Sequence, residues 1–391
     1  MHQNIGVNYK MMKKNRFKIM LITLLPLAIM INIISSKTPE FIEKYYSLWL
    51  NKYIVIFLSS ITGFFPFSIY EIIMYAIVIF IAAFIFVFIY KINRGKQELL
   101  EFIKCSFINI LCIISTVYFL FIVLWGVNYN RLPLETTLLD NLQFKNGEYS
   151  KKQKANENNE DLVNLYSYLV KKSNETRKFT YKDSKGIMKN NTEYKGVINR
   201  ADLGYNNVNV NHMLPGLVGD YSNAKPVISS NIMCYTGITG IYFPFTGEAN
   251  VNIAVPDFTL PATVCHEMAH QRGYASEDEA NFIAYITSVN HPDADFKYSG
   301  YTLALMYTGS ALRKVDYDEY VKISSDLSTD VKNDIVKNSE FWENYEGKID
   351  QISNEFNNTY LKSNGIKSGV QNYGQMVDLL LIYFNSINFD R

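Results

Sequence analysis

Leu260 to Ala284 reads LPATVCHEMAHQRGYASEDEANFIA, and the fold of the polar two thirds of the chain turns on how this stretch is read. On a helix, residues four positions apart lie one above the other, so His266 and His270 can both reach a single metal ion. The spacing is that of HExxH, the signature of a zinc hydrolase. Glu267, next to the first histidine, is then placed to take a proton from a water that attacks a carbonyl, as a general base would. Pro261 suits the first turn of such a helix and Gly273 its carboxy-terminal cap. A second helix starts at Ser276, where Ser276 and Glu279 have the capping-box spacing, and Ala280, Ile283, Ala284 and Thr287 form its apolar stripe.

A catalytic zinc ordinarily has three protein ligands and one position open to water. Glu277, Asp278 and Glu279 are the candidates for the third. The capping box accounts for Glu279, and the helix dipole accounts for an acid at Asp278. Glu277 is favoured because Asn281, one turn on, would share its face and could accept the Nδ1 proton of a ligating histidine. Glu279 remains the alternative. For an oxyanion stabiliser the candidates are Tyr373, preferred for its loop position, and His212.

Most of the apolar weight lies in the first third of the 391 residues. Residues 19–34, 72–90 and 107–125 approach the length needed to cross a bilayer, and three spans are expected. Ile54 to Phe67 is also apolar, but Gly63 and Pro66 interrupt it, so it reads as an interfacial or re-entrant piece. Lys10, Lys13, Lys14, Arg16 and Lys18 precede the first span, and Lys91, Arg94, Lys96 and Lys104 lie between the second and third. Basic residues collect on the cytoplasmic side, which puts everything after Trp125 outside the cell. The expected division is a membrane domain, 1–127, and an extracytoplasmic domain, 128–391. A net charge of +1 and the lack of a basic patch interleaved with aromatics exclude nucleic acid as a partner. Cys234 and Cys265 fall in the outer part, where either a disulfide or buried thiols are chemically permitted.

Asn128 to Leu134 reads as an exit linker, Leu142 to Glu160 as a solvated polar stretch, and Asp161 to Lys172 as a helix. Pro226 to Ser230, Gly240 to Phe245 and Glu248 to Val255 read as antiparallel strands, the last alternating with Ala249, Val251, Ile253 and Val255 on one face. Phe341, Tyr345, Ile349, Ile352 and Phe356 recur at helical spacing as a core stripe, and Met376 to Phe384 reads as a last apolar helix after a loop at Gly365 to Gly374. The fold class is α+β: transmembrane helices, then a mainly helical domain with a small antiparallel sheet.

The order of residues in Glu277 to Asn281 resembles the Glu-x-x-Ala-Asn or Glu-x-x-Ala-Asp of short gluzincins, including the ImmA/IrrE type and HtpX-like membrane proteases. That resemblance makes Glu277 the zinc ligand and Asn281 its supporting partner. More broadly, Gly240 to Asn252, His266 to Gly273, Glu277 to Phe282, Tyr360 to Gly365 and Gly369 to Val377 resemble a family of bacterial multi-spanning proteins, domain of unknown function thirty-eight ten. The resemblance implies a membrane-anchored zincin-like fold and brings no substrate. The expectation is a zinc metallopeptidase anchored in a lipid bilayer and acting on a peptide or protein, with Zn2+ on His266, His270 and Glu277. A membrane receptor or assembly factor with a structural metal site is the alternative.

Overall fold

The computed structural model describes residues 16–146, 159–207, 210, 214, 216–363 and 374–388. Lys10, Lys13, Lys14, His212, Tyr373, most of the Leu142 to Glu160 stretch and nearly all of the Gly365 to Gly374 loop lie outside them. The chain is α+β, mainly helical with two small sheets, and it divides into two compact units. One consists of Met1–Asn51 with Ile69–Arg131, the other of Lys52–Ser68 with Leu132–Arg391.

The chain opens with helices α1 (Arg16–Ser35), α2 (Lys52–Gly63), α3 (Ile69–Ile92) and α4 (Lys96–Leu124). Of these, α1, α3 and α4 are long and apolar enough to cross a membrane. Helix α3 is apolar on every side and buries only Glu71, which is how a lipid-facing helix differs from an amphipathic one. The observed helices start earlier than the apolar runs do, at Arg16, Ile69 and Lys96. Helical hydrogen bonding continues through polar residues that a hydropathy pattern discards, so Lys96 and Lys104 belong to α4 itself.

Within the first unit, the exit linker expected from Asn128 to Leu134 begins inside a short 3-10 helix, Gly126–Asn130, and is tied down by side chains. Asn128 is buried and accepts from the Ser47 hydroxyl at 2.8 Å, while the Arg131 guanidinium grips both oxygens of Glu43 at 2.7 and 2.8 Å. Two parallel N–H donors on one carboxylate fix the chain direction as well as neutralise the charge.

In the second unit the sheet order is β3 (Lys225–Val227), β5 (Glu248–Asn252), β4 (Gly240–Phe243). Strands β4 and β5 are antiparallel, with Tyr242 opposite Ala249, but β3 runs parallel to β5, so the sheet is mixed where an antiparallel one was expected. The five-residue helix Ser230–Cys234 lies in the connection that leads from β3 to β4, and a short extended run cannot by itself declare its direction. Every residue of β5 is buried. Ala249 and Val251 enter the main core, and the polar set Glu248, Asn250 and Asn252 is buried as well. These polar groups are satisfied locally: the Ser68 hydroxyl donates to Asn250 at 2.6 Å, the Thr246 hydroxyl to Glu248 at 3.0 Å, and Asn252 Nδ2 to the Ile238 carbonyl at 3.0 Å.

The cover comes from α2, whose Val55, Ser59 and Thr62 are buried and whose Thr62 hydroxyl donates to the Thr246 carbonyl at 3.1 Å. This is where the division expected at residue 127 differs from the observed one: the interrupted apolar segment packs with the second unit.

Helices α5 (Leu134–Asn146), α6 (Asn159–Arg177), α8 (Leu260–Gln271), α9 (Glu277–Val289), α10 (Ala294–Val315) and α14 (Gly374–Asn388) contribute to one hydrophobic core, and α7 (Tyr194–Arg200) adds Val197 and Ile198. After α11 (Tyr317–Ser325), the stripe expected from Phe341 to Phe356 is split between α12 (Thr329–Glu343) and α13 (Lys348–Ser363). Ile349 and Ile352 are exposed, so that stripe is not core. Between α6 and α7, the polar stretch carries a two-residue hairpin, β1 (Tyr181–Lys182) with β2 (Met188–Lys189). Cys234 and Cys265 are buried and free.

The turn joining β4 to β5 depends on Gly247, which has a left-handed φ of 68° and hydrogen-bonds to the Phe243 carbonyl at 3.0 Å. A Cβ there would also stand 3.1 Å from Leu58 Cβ and 3.1 Å from the Ser59 nitrogen of α2. Gly247→Ala is expected to cost about 1–2 kcal/mol from the left-handed backbone alone. At about 2–4 °C per kcal/mol for a domain of this size, thermal melting of the full chain in detergent reads the loss.

Candidate metal centre

Helix α8 carries His266, Glu267 and His270, with Pro261 in its first turn. It ends in a Schellman arrangement: the Gly273 N–H donates to the His270 carbonyl at 2.9 Å and the Tyr274 N–H to the Ala269 carbonyl at 3.3 Å. Gly273 supplies the left-handed φ of 86° that this turn requires. The reversal brings the Tyr274 carbonyl back over the helix, 2.6 Å from His270 Nδ1. Asn281 Oδ1, one turn into α9, lies 2.9 Å from His266 Nδ1, and its amide nitrogen donates to the Tyr307 hydroxyl at 2.9 Å. Both imidazoles thus face an acceptor at Nδ1, which assigns the proton there and leaves a lone pair on each Nε2.

The two Nε2 atoms point at one carboxylate. Glu277 Oε2 is 3.2 Å from His266 Nε2, and its Oε1 is 3.7 Å from His270 Nε2. One ligand atom from each of His266, His270 and Glu277 lies within 4.8 Å of the others. The histidine side chains are 13% and 9% exposed and Glu277 is 46% exposed, so the cluster opens to water on the carboxylate's side. Burial works against charge on His270, yet neighbouring Glu277 raises its pKa; burial likewise opposes the Glu277 carboxylate, but His270 and His266 hold it well below the usual range. Two neutral imidazoles and a carboxylate at this spacing are a donor set that suits Zn2+.

The three consecutive acids go to three different places. Glu279 does not face the cluster: its Oε1 accepts the Leu134 N–H at 2.7 Å, the first orphan donor of α5. Ser276 makes no side-chain cap to α9, so the expected capping box does not form. Asp278 accepts the Met376 N–H in the first turn of α14 at 3.3 Å, and burial raises its pKa to about 7.

Glu267 is buried, with Oε2 lacking a hydrogen-bond partner among the described residues, and burial raises its pKa to about 7. It lies against Gly240, the first residue of β4: a Cβ on Gly240 would stand 2.4 Å from Glu267 Oε1 and 2.5 Å from its Cγ and Cδ. Glycine is the residue that leaves room for the carboxylate. Sequence reasoning missed Gly240, Tyr274 and Tyr307, since a close approach between a strand and a helix has no signature in spacing. His212 and Tyr373 lie outside the described residues.

The profile of a family described as protein of unknown function (DUF3810) matches residues 46–381. The chain belongs to the DUF3810 family. No curated protein and no solved structure matches it. In this DUF3810 chain the matched region spans the second and third apolar helices and the His266, His270, Glu277 cluster.

The Gly240 contact has a test that needs no activity. Gly240→Ala forces an overlap and is expected to destabilise by about 1–3 kcal/mol. Adding Glu267→Ala removes the colliding atoms, so the double variant should recover most of that loss. A double-mutant cycle of melting temperatures on the full chain measures the coupling, and simple additivity would contradict the contact.

Proposed function

We propose that this chain is a membrane-anchored zinc metallopeptidase with a zincin-like domain of the gluzincin kind. The observation that carries the reading is the convergence of His266 Nε2, His270 Nε2 and a Glu277 oxygen beside a buried carboxylate, Glu267, with one oxygen unpartnered. His266, His270 and Glu277 would hold Zn2+, with Asn281 and the Tyr274 carbonyl keeping each imidazole in the ligating tautomer. A zinc ion in such a site acidifies water and polarises a carbonyl oxygen.

Glu267 is the general base. Its Oε2 takes one proton from the attacking water while the remaining hydroxyl bonds to the carbonyl carbon, and the same proton passes to the nitrogen as the C–N bond breaks. A pKa of about 7 suits a group that must both accept and release a proton near neutrality. Peptide as the substrate class is supported by β4, an outer strand of its sheet that begins at the residue touching Glu267. An extended chain added to such an edge would pass the cluster. Tyr373 and His212 are the residues proposed to stabilise the oxyanion. The lipid bilayer is the other partner, through three apolar helices, and the basic residues flanking them support an orientation with the peptidase unit outside the cell.

Elemental analysis of the full chain in detergent should find about one zinc per chain, lost in His266→Ala, as a three-ligand site requires. Glu267→Gln should keep the zinc and lower cleavage of a peptide library by about 10²–10⁴-fold. Full activity in Glu267→Gln rules out the mechanism, and zinc retained in a wild-type protein that cleaves nothing would fit a structural site in a receptor or assembly factor. Orientation is read separately: a reporter fused after Asp390 should be accessible from outside intact cells, and a protected reporter reverses the topology.

A further inference from the structure

A second site lies away from the metal cluster, within the same unit. A cavity of about 550 Å³ is lined by Gly63, the last residue of α2, with Phe65 and Pro66 just after it, and by Lys195, Ser222 and Lys225. The volume is that of an ordinary small-molecule site. Lys225 is 7% exposed, and its ammonium donates to the Phe65 carbonyl. Lys195 is exposed at the mouth. The Ser222 hydroxyl is buried without a hydrogen-bond partner among the described residues, and a buried donor left unsatisfied costs stability unless something occupies the site.

The chain at the cavity is strongly apolar. Phe65, in the lining, is 42% exposed, its neighbour Phe64 is 87% exposed, and Phe57 and Ile61 on the outer side of α2 are exposed too. Nothing in a water-facing loop calls for a bare phenylalanine ring beside two lysines. The position along the chain supplies the reason. Pro66 precedes α3, a helix able to cross a membrane, by three residues, and three residues of chain reach at most about 10 Å. The polar headgroup layer on each side of a bilayer is of order 5–8 Å thick, so the cavity mouth is held in or beside it.

From this juxtaposition of two lysines, an unpartnered hydroxyl and a bare aromatic rim next to the start of a span, we propose that the cavity binds an anionic phospholipid. Its phosphodiester lies between Lys195, Lys225 and Ser222, and its acyl chains lie along Phe64 and the outer side of α2. A zwitterionic headgroup fits less well, because its own cation would face the two lysines. The site is independent of the peptidase reading and holds whether or not the metal cluster is catalytic.

The test uses the full chain in detergent, with bound ligand counted by native mass spectrometry. The probes are short-chain phosphatidylglycerol, short-chain phosphatidylcholine and glycerol 3-phosphate. Phosphatidylglycerol should bind in preference to phosphatidylcholine, and Lys195→Ala, an exposed position, should weaken it about fivefold, the share of one lysine near a lipid surface. Lys225→Gln should weaken it similarly; if that variant melts early, Lys195→Ala decides alone. Phe64→Ser should weaken the lipid and leave glycerol 3-phosphate unchanged. Equal binding of the two lipids, indifference to Lys195→Ala, or glycerol 3-phosphate competing as well as the lipid would each overturn the assignment.

Discussion

The arrangement depends on stopping one helix and starting another within five residues, Arg272 to Ser276, so that an acid from the second falls between two imidazoles of the first. A left-handed glycine at 273 is the means. It ends α8, turns the Tyr274 carbonyl onto His270, and delivers three consecutive acids to three destinations: the histidines, the head of α14 and the head of α5. Successive residues at a helix start point about 100° apart, so one turn can serve three neighbours. The cluster is therefore held by the joint between two helices, and two further helices are tied to the same turn.

Around this joint several polar side chains are buried with their partners. Arg272 illustrates it: its guanidinium lies 3.9 Å from the Tyr205 ring centroid and 4.6 Å from that of Tyr221, and it donates to the Leu217 carbonyl at 2.7 Å. Glu267 departs from the pattern. Its Oε2 has no hydrogen-bond partner among the described residues, and a buried carboxyl oxygen left so costs on the order of 1–3 kcal/mol.

Much of this could be read before any coordinates. The helices bearing His266, His270 and Glu277 follow from period, Pro261 and Gly273, and the same spacing puts Asn281 within reach of a histidine. Three long apolar helices follow from hydropathy. What stayed hidden involves partners distant in sequence. Ser276 and Glu279 have capping-box spacing, but Leu134, far upstream, takes the carboxylate instead. Alternation in Glu248 to Val255 suggests one wet face, yet the polar side is covered by a helix nearly two hundred positions earlier. Ile349 and Ile352 keep helical spacing without facing the core, because Asn344 to Gly347 break the helix and redirect the stripe.

The strip Lys52–Ser68 has an implication for anyone wishing to cut the molecule down. A fragment starting after the last span would keep His266, His270 and Glu277 and yet lack the Ser68 hydroxyl that donates to Asn250 and the Thr62 hydroxyl that donates to the Thr246 carbonyl, leaving that flank of β5 uncovered. A second unit severed there would thus be missing part of its own interior, because the strip Lys52–Ser68 belongs to it.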